Sequence, residues 1–290
     1  MTPRPRRWLA AGTIAAGLAA VLVPAAASAT TPSTQYYVSL GDSLSIGIQP
    51  GPDGHNRPTD QGYADVLYTT LKAKNPNLTL VKLGCSGETT TTLRHGGICA
   101  YSGASSQLDA AAKFIRAHRR QVAYVTLDIG ANDVDGCATG GSVDLGCAVK
   151  GVATVAGNLP VITTTLRMAA FGGPARFAGM NYYDPVLATW LTGASGQRTA
   201  RLSVTLTQGL NTMMGLEYRL AGFRVADVAG AFDTAKFSPT VPLPGAGNVP
   251  LNVARICAWT YMCVPAPVGP NIHATPAGYQ VLARAFAAQL

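Results

Sequence analysis

Short apolar runs and helical stripes alternate along most of this 290-residue chain. Residues 36–40 (Tyr-Tyr-Val-Ser-Leu) form an apolar run that reads as a buried strand, as do residues 78–83 and the β-branched run 122–129. Residues 176–182 and 223–228 give two further strands. The stretches between them carry helical spacing. Residues 63–73 read as a helix, and so do residues 105–118, with Leu108, Ala111, Ala112 and Ile115 on one face. Residues 148–170 form a long amphipathic pattern that Pro160 is expected to kink. Residues 197–221 form another, stopped by Gly222. A last helix covers 275–289, with Thr275 as its cap and Pro276 in its first position. Residues 237–250, rich in Pro and Gly, are expected to be irregular. Strands alternating with helices predict an α/β fold, with a mostly parallel five-stranded sheet covered on both faces.

The first residues stand outside this pattern. Arg4, Arg6 and Arg7 precede a short Ala- and Gly-rich apolar stretch at residues 8–23, and Ala27-Ser28-Ala29 follows. That is the layout of a secretory signal peptide with its A-x-A cleavage site. The expected division is a leader at residues 1–29 and one domain at residues 30–290, with no later run long and apolar enough to stop transfer.

Six cysteines suit the oxidising compartment that such a leader implies. They fall in three local pairs, the first two bracketing Gly-containing loops: Cys85 with Cys99, Cys137 with Cys147, and Cys257 with Cys263. Disulfides between these neighbours are expected. Metal ligation would need C-x-x-C or clustered His spacing, and the chain has neither. Charge is sparse, and the net +8 owes three of its arginines to the leader. No basic stripe interleaved with aromatics supports nucleic-acid binding. The expected partners are a small-molecule or lipid ester and, in passing, a lipid surface; the expected state is a monomer.

In a sheet of this kind ligands bind at the carboxyl ends of the strands. The first strand runs out into Gly41-Asp42-Ser43-Leu44, the second into Gly84-Cys85-Ser86-Gly87, and the third into Gly130-Ala131-Asn132-Asp133. Acyl transfer needs a nucleophile, a base and oxyanion donors. Ser43 supplies a hydroxyl. His273, in the loop that opens the last helix, is the candidate base. The Ser43 and Gly84 backbone N–H groups and the Asn132 amide are the candidate oxyanion hole. Asp42 reads as a loop fastener, while Asp128, Asp133 and Glu88 show no paired-carboxylate spacing. Tyr182-Tyr183 and Trp259/Tyr261 suit an acyl pocket and core packing equally well. Gly172-Gly173 and residues 237–250 are candidate pocket walls.

Ser, Gly, Asn and His in this order, with Gly-Asp-Ser-Leu around the first, resemble the GDSL-type (SGNH) hydrolases. The resemblance implies a flavodoxin-like, three-layer α/β/α sandwich and a secreted esterase or lipase that uses no metal or cofactor in its chemistry. Polysaccharide acetylesterases and phospholipases belong to the same substrate range. The cysteine pairs look like those of the secreted actinobacterial branch. One departure stands out. The family commonly carries an acid three residues before its His, and here that position is Pro270. The expectation is therefore a Ser43–His273 dyad, with His273 Nδ1 held by a main-chain carbonyl from residues 257–269. The rival of a different class is a binding module that has lost efficient chemistry.

Overall fold

The computed structural model describes residues 1–4, 33–139 and 142–290. Met1–Pro32 and Ser33–Leu290 separate into two units. The expected leader and its cleavage site lie almost wholly outside the described residues.

Five parallel strands make the central sheet: β1 (Gln35–Gly41), β2 (Leu78–Lys82), β3 (Val122–Asp128), β4 (Arg176–Met180) and β5 (Arg224–Ala226), in the order β2-β1-β3-β4-β5. The inner strands are apolar on both faces, as a doubly covered parallel sheet requires. Tyr37, Val38 and Leu40 of β1 and Val122, Val125 and Leu127 of β3 have no exposed surface. The Tyr37 hydroxyl meets Thr126 Oγ1 at 2.9 Å, which satisfies two polar groups inside this core.

Helices α1 (Tyr63–Lys74), α2 (Thr90–His95), α3 (Gln107–Ala117), α4 (Leu145–Ala169), α5 (Ala194–Leu220), α6 (Val228–Ala231), α7 (Leu251–Trp259) and α8 (Pro276–Ala287) surround the sheet. In one set α1 packs on α8; in the other α3 packs on α4 and α4 on α5. The α3 stripe is buried as its spacing requires, and Ser106 caps it by accepting from the Asp109 N–H at 3.1 Å. Thr275 caps α8 with Pro276 in its first turn, and Gly222 follows α5 at φ 73°.

Two expectations change. Residues 237–250 are not irregular throughout: Thr240–Leu243 and Gly247–Pro250 pair as an antiparallel hairpin, with its turn at Gly245, at φ 78°. Helix α4 includes Pro160 within its span. It is also long and apolar enough to cross a membrane by length and composition, contrary to the expectation for the chain beyond the leader. Val155, Leu159, Ile162 and Leu166 of α4 are wholly buried among its neighbours, as in a helix that forms one layer of a sandwich. The disulfides pair Cys85–Cys99, Cys137–Cys147 and Cys257–Cys263.

Candidate active site

The turn after β1 holds Ser43 through backbone contacts. Gly41 adopts φ 139°, and a Cβ there would collide with the Asp128 backbone oxygen, so only glycine lets β1 and β3 close at this end. Gln107 of α3 clamps the Gly41 peptide groups: Gly41 N–H donates to Oε1 at 2.7 Å, and Nε2 donates to the Gly41 carbonyl at 2.9 Å. Asp42 N–H donates to the Asp128 carbonyl at 3.1 Å, and Leu44 N–H donates to Asp42 Oδ1 at 3.0 Å. Ser45 Oγ donates back to the Asp42 carbonyl at 2.7 Å. Ser43 sits between these anchors.

Asp42 is a loop fastener, but it also has a carboxyl partner that the sequence did not suggest. The Asp128 carboxyl lies against it, and the Tyr63 hydroxyl donates to Asp128 Oδ1 at 2.5 Å. Burial pushes Asp42 up to about 6. Burial, and then the charge of Asp42, push Asp128 well above the usual carboxylate range. Two buried carboxyls in contact cannot both ionise cheaply, so the pair holds a proton. Asp133 serves the scaffold: its carboxylate accepts from Thr90 N–H and Oγ1, at 2.8 and 2.7 Å, at the start of α2. Glu88 is buried with Oε2 unpartnered, and burial raises it to about 7.

His273 lies on a short strand, Asn271–Ala274, that pairs antiparallel with Thr260–Tyr261. The Tyr183 hydroxyl donates to the Ile272 carbonyl at 2.7 Å and ties this strand to the end of β4. His273 Nδ1 meets Asn271 Oδ1 at 2.6 Å. The same oxygen accepts the His273 N–H at 3.0 Å, and Asn271 Nδ2 reaches Asn56 Oδ1 at 2.8 Å. The backbone donor identifies the amide oxygen as the atom facing the ring. Nδ1 therefore carries the proton and Nε2 offers its lone pair. This corrects the expected main-chain carbonyl from residues 257–269. The physical reason is the period of an extended chain, which points residues two apart to one face and sets Asn271 beside His273. Burial lowers the His273 pKa to about 4, so the ring is a neutral base at ordinary pH.

Ser43, Asn132 and His273 line one cavity of about 470 Å³. Asn132 stands in a 3-10 turn, Ala131–Asp133, after β3, and its Nδ2 donates to the Glu88 carbonyl at 2.9 Å. Neither Gly84 nor Gly87 is among the lining residues; the space a side chain would take at Gly84 is filled by Ser45, so its lack of a side chain serves the packing of the turn that holds Ser43. In the same block Gly87, at φ 81°, borders open space.

The cavity wall is largely apolar, with Val149 and Val152 from α4, Leu206 and Leu210 from α5, and Met262 and Ile272. Tyr182 and Tyr183 also line it. Trp259 and Tyr261 do not: Trp259 packs edge-on against Phe232, and the Tyr261 hydroxyl donates to Gln49 at 2.9 Å. Gly172-Gly173 and residues 237–250 are not walls either. The glycine pair lies in the turn entering β4, at the amino end of the sheet and away from the site. Besides Asp42, two acids interrupt the apolar wall. Asp184 accepts from Ser203 Oγ at 2.6 Å and is raised by burial to about 6; Asp135 is raised to about 7, also chiefly by burial.

None of the curated proteins matches this chain. Among solved structures it is similar to phospholipase A1 from Streptomyces albidoflavus NA297, at 19% identity and TM-score 0.57, covering 89% of this chain and 100% of that one. An extracellular lipase from Streptomyces rimosus matches with the same coverage and TM-score 0.57 at 17% identity. An acetyl xylan esterase from Geobacillus stearothermophilus matches at 17% identity and TM-score 0.52, over 89% of this chain and 94% of that one. At these identities the likeness concerns the fold. The model of the GDSL-like Lipase/Acylhydrolase family matches residues 39–281, from the strand that carries Ser43 to the helix that follows His273, and this chain belongs to that family.

Proposed function

We propose that this protein is a secreted serine hydrolase of carboxylic esters that works through an acyl-Ser43 intermediate. The observation that carries the reading is the meeting of Ser43 and His273 in one apolar cavity, with His273 Nδ1 engaged by Asn271 so that Nε2 is free to accept a proton. Ser43 Oγ attacks the ester carbonyl while His273 Nε2 takes its proton, and His273 then returns that proton to the leaving alkoxide. Water repeats the sequence in reverse to free the acid. Negative charge developing on the carbonyl oxygen is met by the Ser43 N–H and the Asn132 amide. A third donor is expected from the second Gly-rich block, and within it Gly87, which borders open space next to the Glu88 whose carbonyl holds Asn132, suits that role better than Gly84.

The third member of the relay is a neutral amide. Asn271 fixes the tautomer but adds no charge to stabilise imidazolium, so the working unit is a Ser43–His273 pair oriented by Asn271. The apolar wall favours an acyl chain over a bare acetyl group as occupant, which places lipase or phospholipase chemistry ahead of polysaccharide deacetylation. The leader at residues 1–29 and an extracellular location belong to the same proposal, and the three disulfides support them.

The test is hydrolysis of a p-nitrophenyl ester series from acetate to palmitate by the oxidised protein. Turnover that rises beyond acetate and disappears in Ser43→Ala and His273→Ala is expected. A folded protein inert to every ester would favour the binding-module alternative.

A further inference from the structure

The apolar wall of the cavity continues onto the outer surface. Leu145 and Val149, one turn apart at the start of α4, are 51% and 66% exposed; Leu202 of α5 is 40% exposed and Ile272 is 37% exposed. Val149 and Ile272 also line the cavity, so inner wall and outer rim form one apolar surface. Leu202 lies three residues after Thr199 and four before Leu206, both cavity residues, which sets it on the same side of α5. Soluble proteins rarely leave large aliphatic side chains exposed around a pocket mouth without a partner for them.

Most of the charges beside this rim are positive. Lys150, Arg198 and Arg201 are exposed, and Arg201 is stacked over Trp190 and Phe237, at 5.0 and 4.6 Å from the ring centroids. The exposed acid of this edge, Asp144, caps α4 by accepting the Cys147 N–H at 3.0 Å. A second copy of the chain docked here would oppose these cations and close both cavity mouths. An anionic lipid surface would receive the aliphatic side chains, pair with the cations and leave the mouth open to an acyl chain.

We infer that the rim formed by Leu145, Val149, Leu202 and Ile272, with Lys150, Arg198 and Arg201, docks the protein onto an anionic lipid surface and feeds acyl chains from it into the cavity. The inference rests on the ester-hydrolase reading for its purpose, but docking is measurable without catalysis. The far pole offers an internal control. Leu216 and Leu220, at the end of α5 that leads into the amino end of β5, are 53% and 73% exposed and lie away from the site.

The experiment uses Ser43→Ala protein, so that no substrate is consumed, and measures co-sedimentation with vesicles of phosphatidylglycerol and of phosphatidylcholine. Binding to phosphatidylglycerol in preference to phosphatidylcholine is expected. On that background Leu145→Glu/Leu202→Glu should weaken binding by about tenfold or more, while Leu216→Glu/Leu220→Glu should leave it intact. With Ser43 restored, the rim pair should keep its turnover of a soluble short-chain ester, which separates loss of docking from loss of the active site. Absence of vesicle binding, or equal weakening by the rim and far-pole pairs, would overturn the inference. So would a dimer in solution that Leu145→Glu/Leu202→Glu dissociates.

Discussion

The two sides of the proposed active site, the serine taken as nucleophile and the histidine as base, are built to different standards. The nucleophile turn is over-determined: Gln107 clamps Gly41, Asp128 receives the Asp42 N–H, and Asp42 holds the Leu44 N–H, all in the buried end of the sheet. The base stands on a two-stranded ribbon outside that sheet, and the orientation of its ring depends on one neutral side chain, Asn271. The backbone that positions Ser43 can therefore change little without damage to the fold, whereas the base can be retuned by one residue. Most of the variation in rate and pH response open to this architecture lies on the histidine side.

The largest expected effects remove either reacting group. Ser43→Ala and His273→Ala should each lower kcat by about 10⁴-fold or more with little change in melting temperature, since both lie at the cavity surface; steady-state kinetics beside thermal melts would show it. If the two sides differ as described, Gln107→Leu should act on stability as well as rate. It leaves the Gly41 N–H buried without a partner and the Gly41 carbonyl with the Cys85 N–H alone, at 3.1 Å, and should destabilise the protein by about 1–3 kcal/mol, measurable by urea unfolding. A fully stable Gln107→Leu protein would mean that the turn is held by less than its contacts suggest.

Asn271→Ala, on the other side, should leave unfolding nearly unchanged and lower kcat by about 10–100-fold through loss of ring orientation. Asn271→Asp should recover that loss and move the acid limb of kcat/KM upward by about 1 pH unit, because a carboxylate beside the ring favours imidazolium. In the unaltered protein burial alone sets His273 at about 4, so activity should persist well below pH 6.

The smallest effects concern stability against pH, where the two sides act in opposite directions. His273 has a depressed folded pKa. The unfolded chain binds its proton first, and stability is lost as pH falls from the ordinary histidine range, about 6.5, toward 4. Asp42 and Asp128 have raised folded values. Their contribution is present at low pH and is lost as pH rises from the ordinary carboxylate range through about 6, the value of Asp42. Asp128→Asn keeps an acceptor for Tyr63 and a donor for Asp42 while removing the titration. It should melt about 2–5 °C above the unaltered protein at pH 8 and level with it at pH 4.

The same contrast marks what could be read from the chain. The sheet, its main helices and Ser43 were legible because buried parallel strands announce themselves as apolar runs and their carboxyl ends as Gly-rich breaks. Helix α2 was not, because Thr-Thr-Thr-Leu-Arg-His is mostly polar; its signal was the capping pair Thr89 and Thr92. The hairpin at 240–250 was hidden by its prolines. Asn271 was not legible as the partner of His273 because an amide carries no charge to mark the role; alternation along an extended chain is the signal that sets it beside the ring. The pairing of Asp42 with Asp128 joins residues 86 apart in sequence, and only the register of β1 beside β3 brings them together. The cavity walls come from α4 and α5, whose apolar residues read equally well as core.

Activation of Ser43 by a neutral, Asn271-oriented His273 is the central proposal, and the rate of fluorophosphonate labelling of Ser43 as a function of pH measures it without a known substrate. The unaltered protein should label at Ser43 down to about pH 5, Asn271→Asp should lose labelling about 1 pH unit higher, and His273→Ala should not label. A folded protein that fails to label at pH 8, or an acid limb that Asn271→Asp leaves in place, would contradict it.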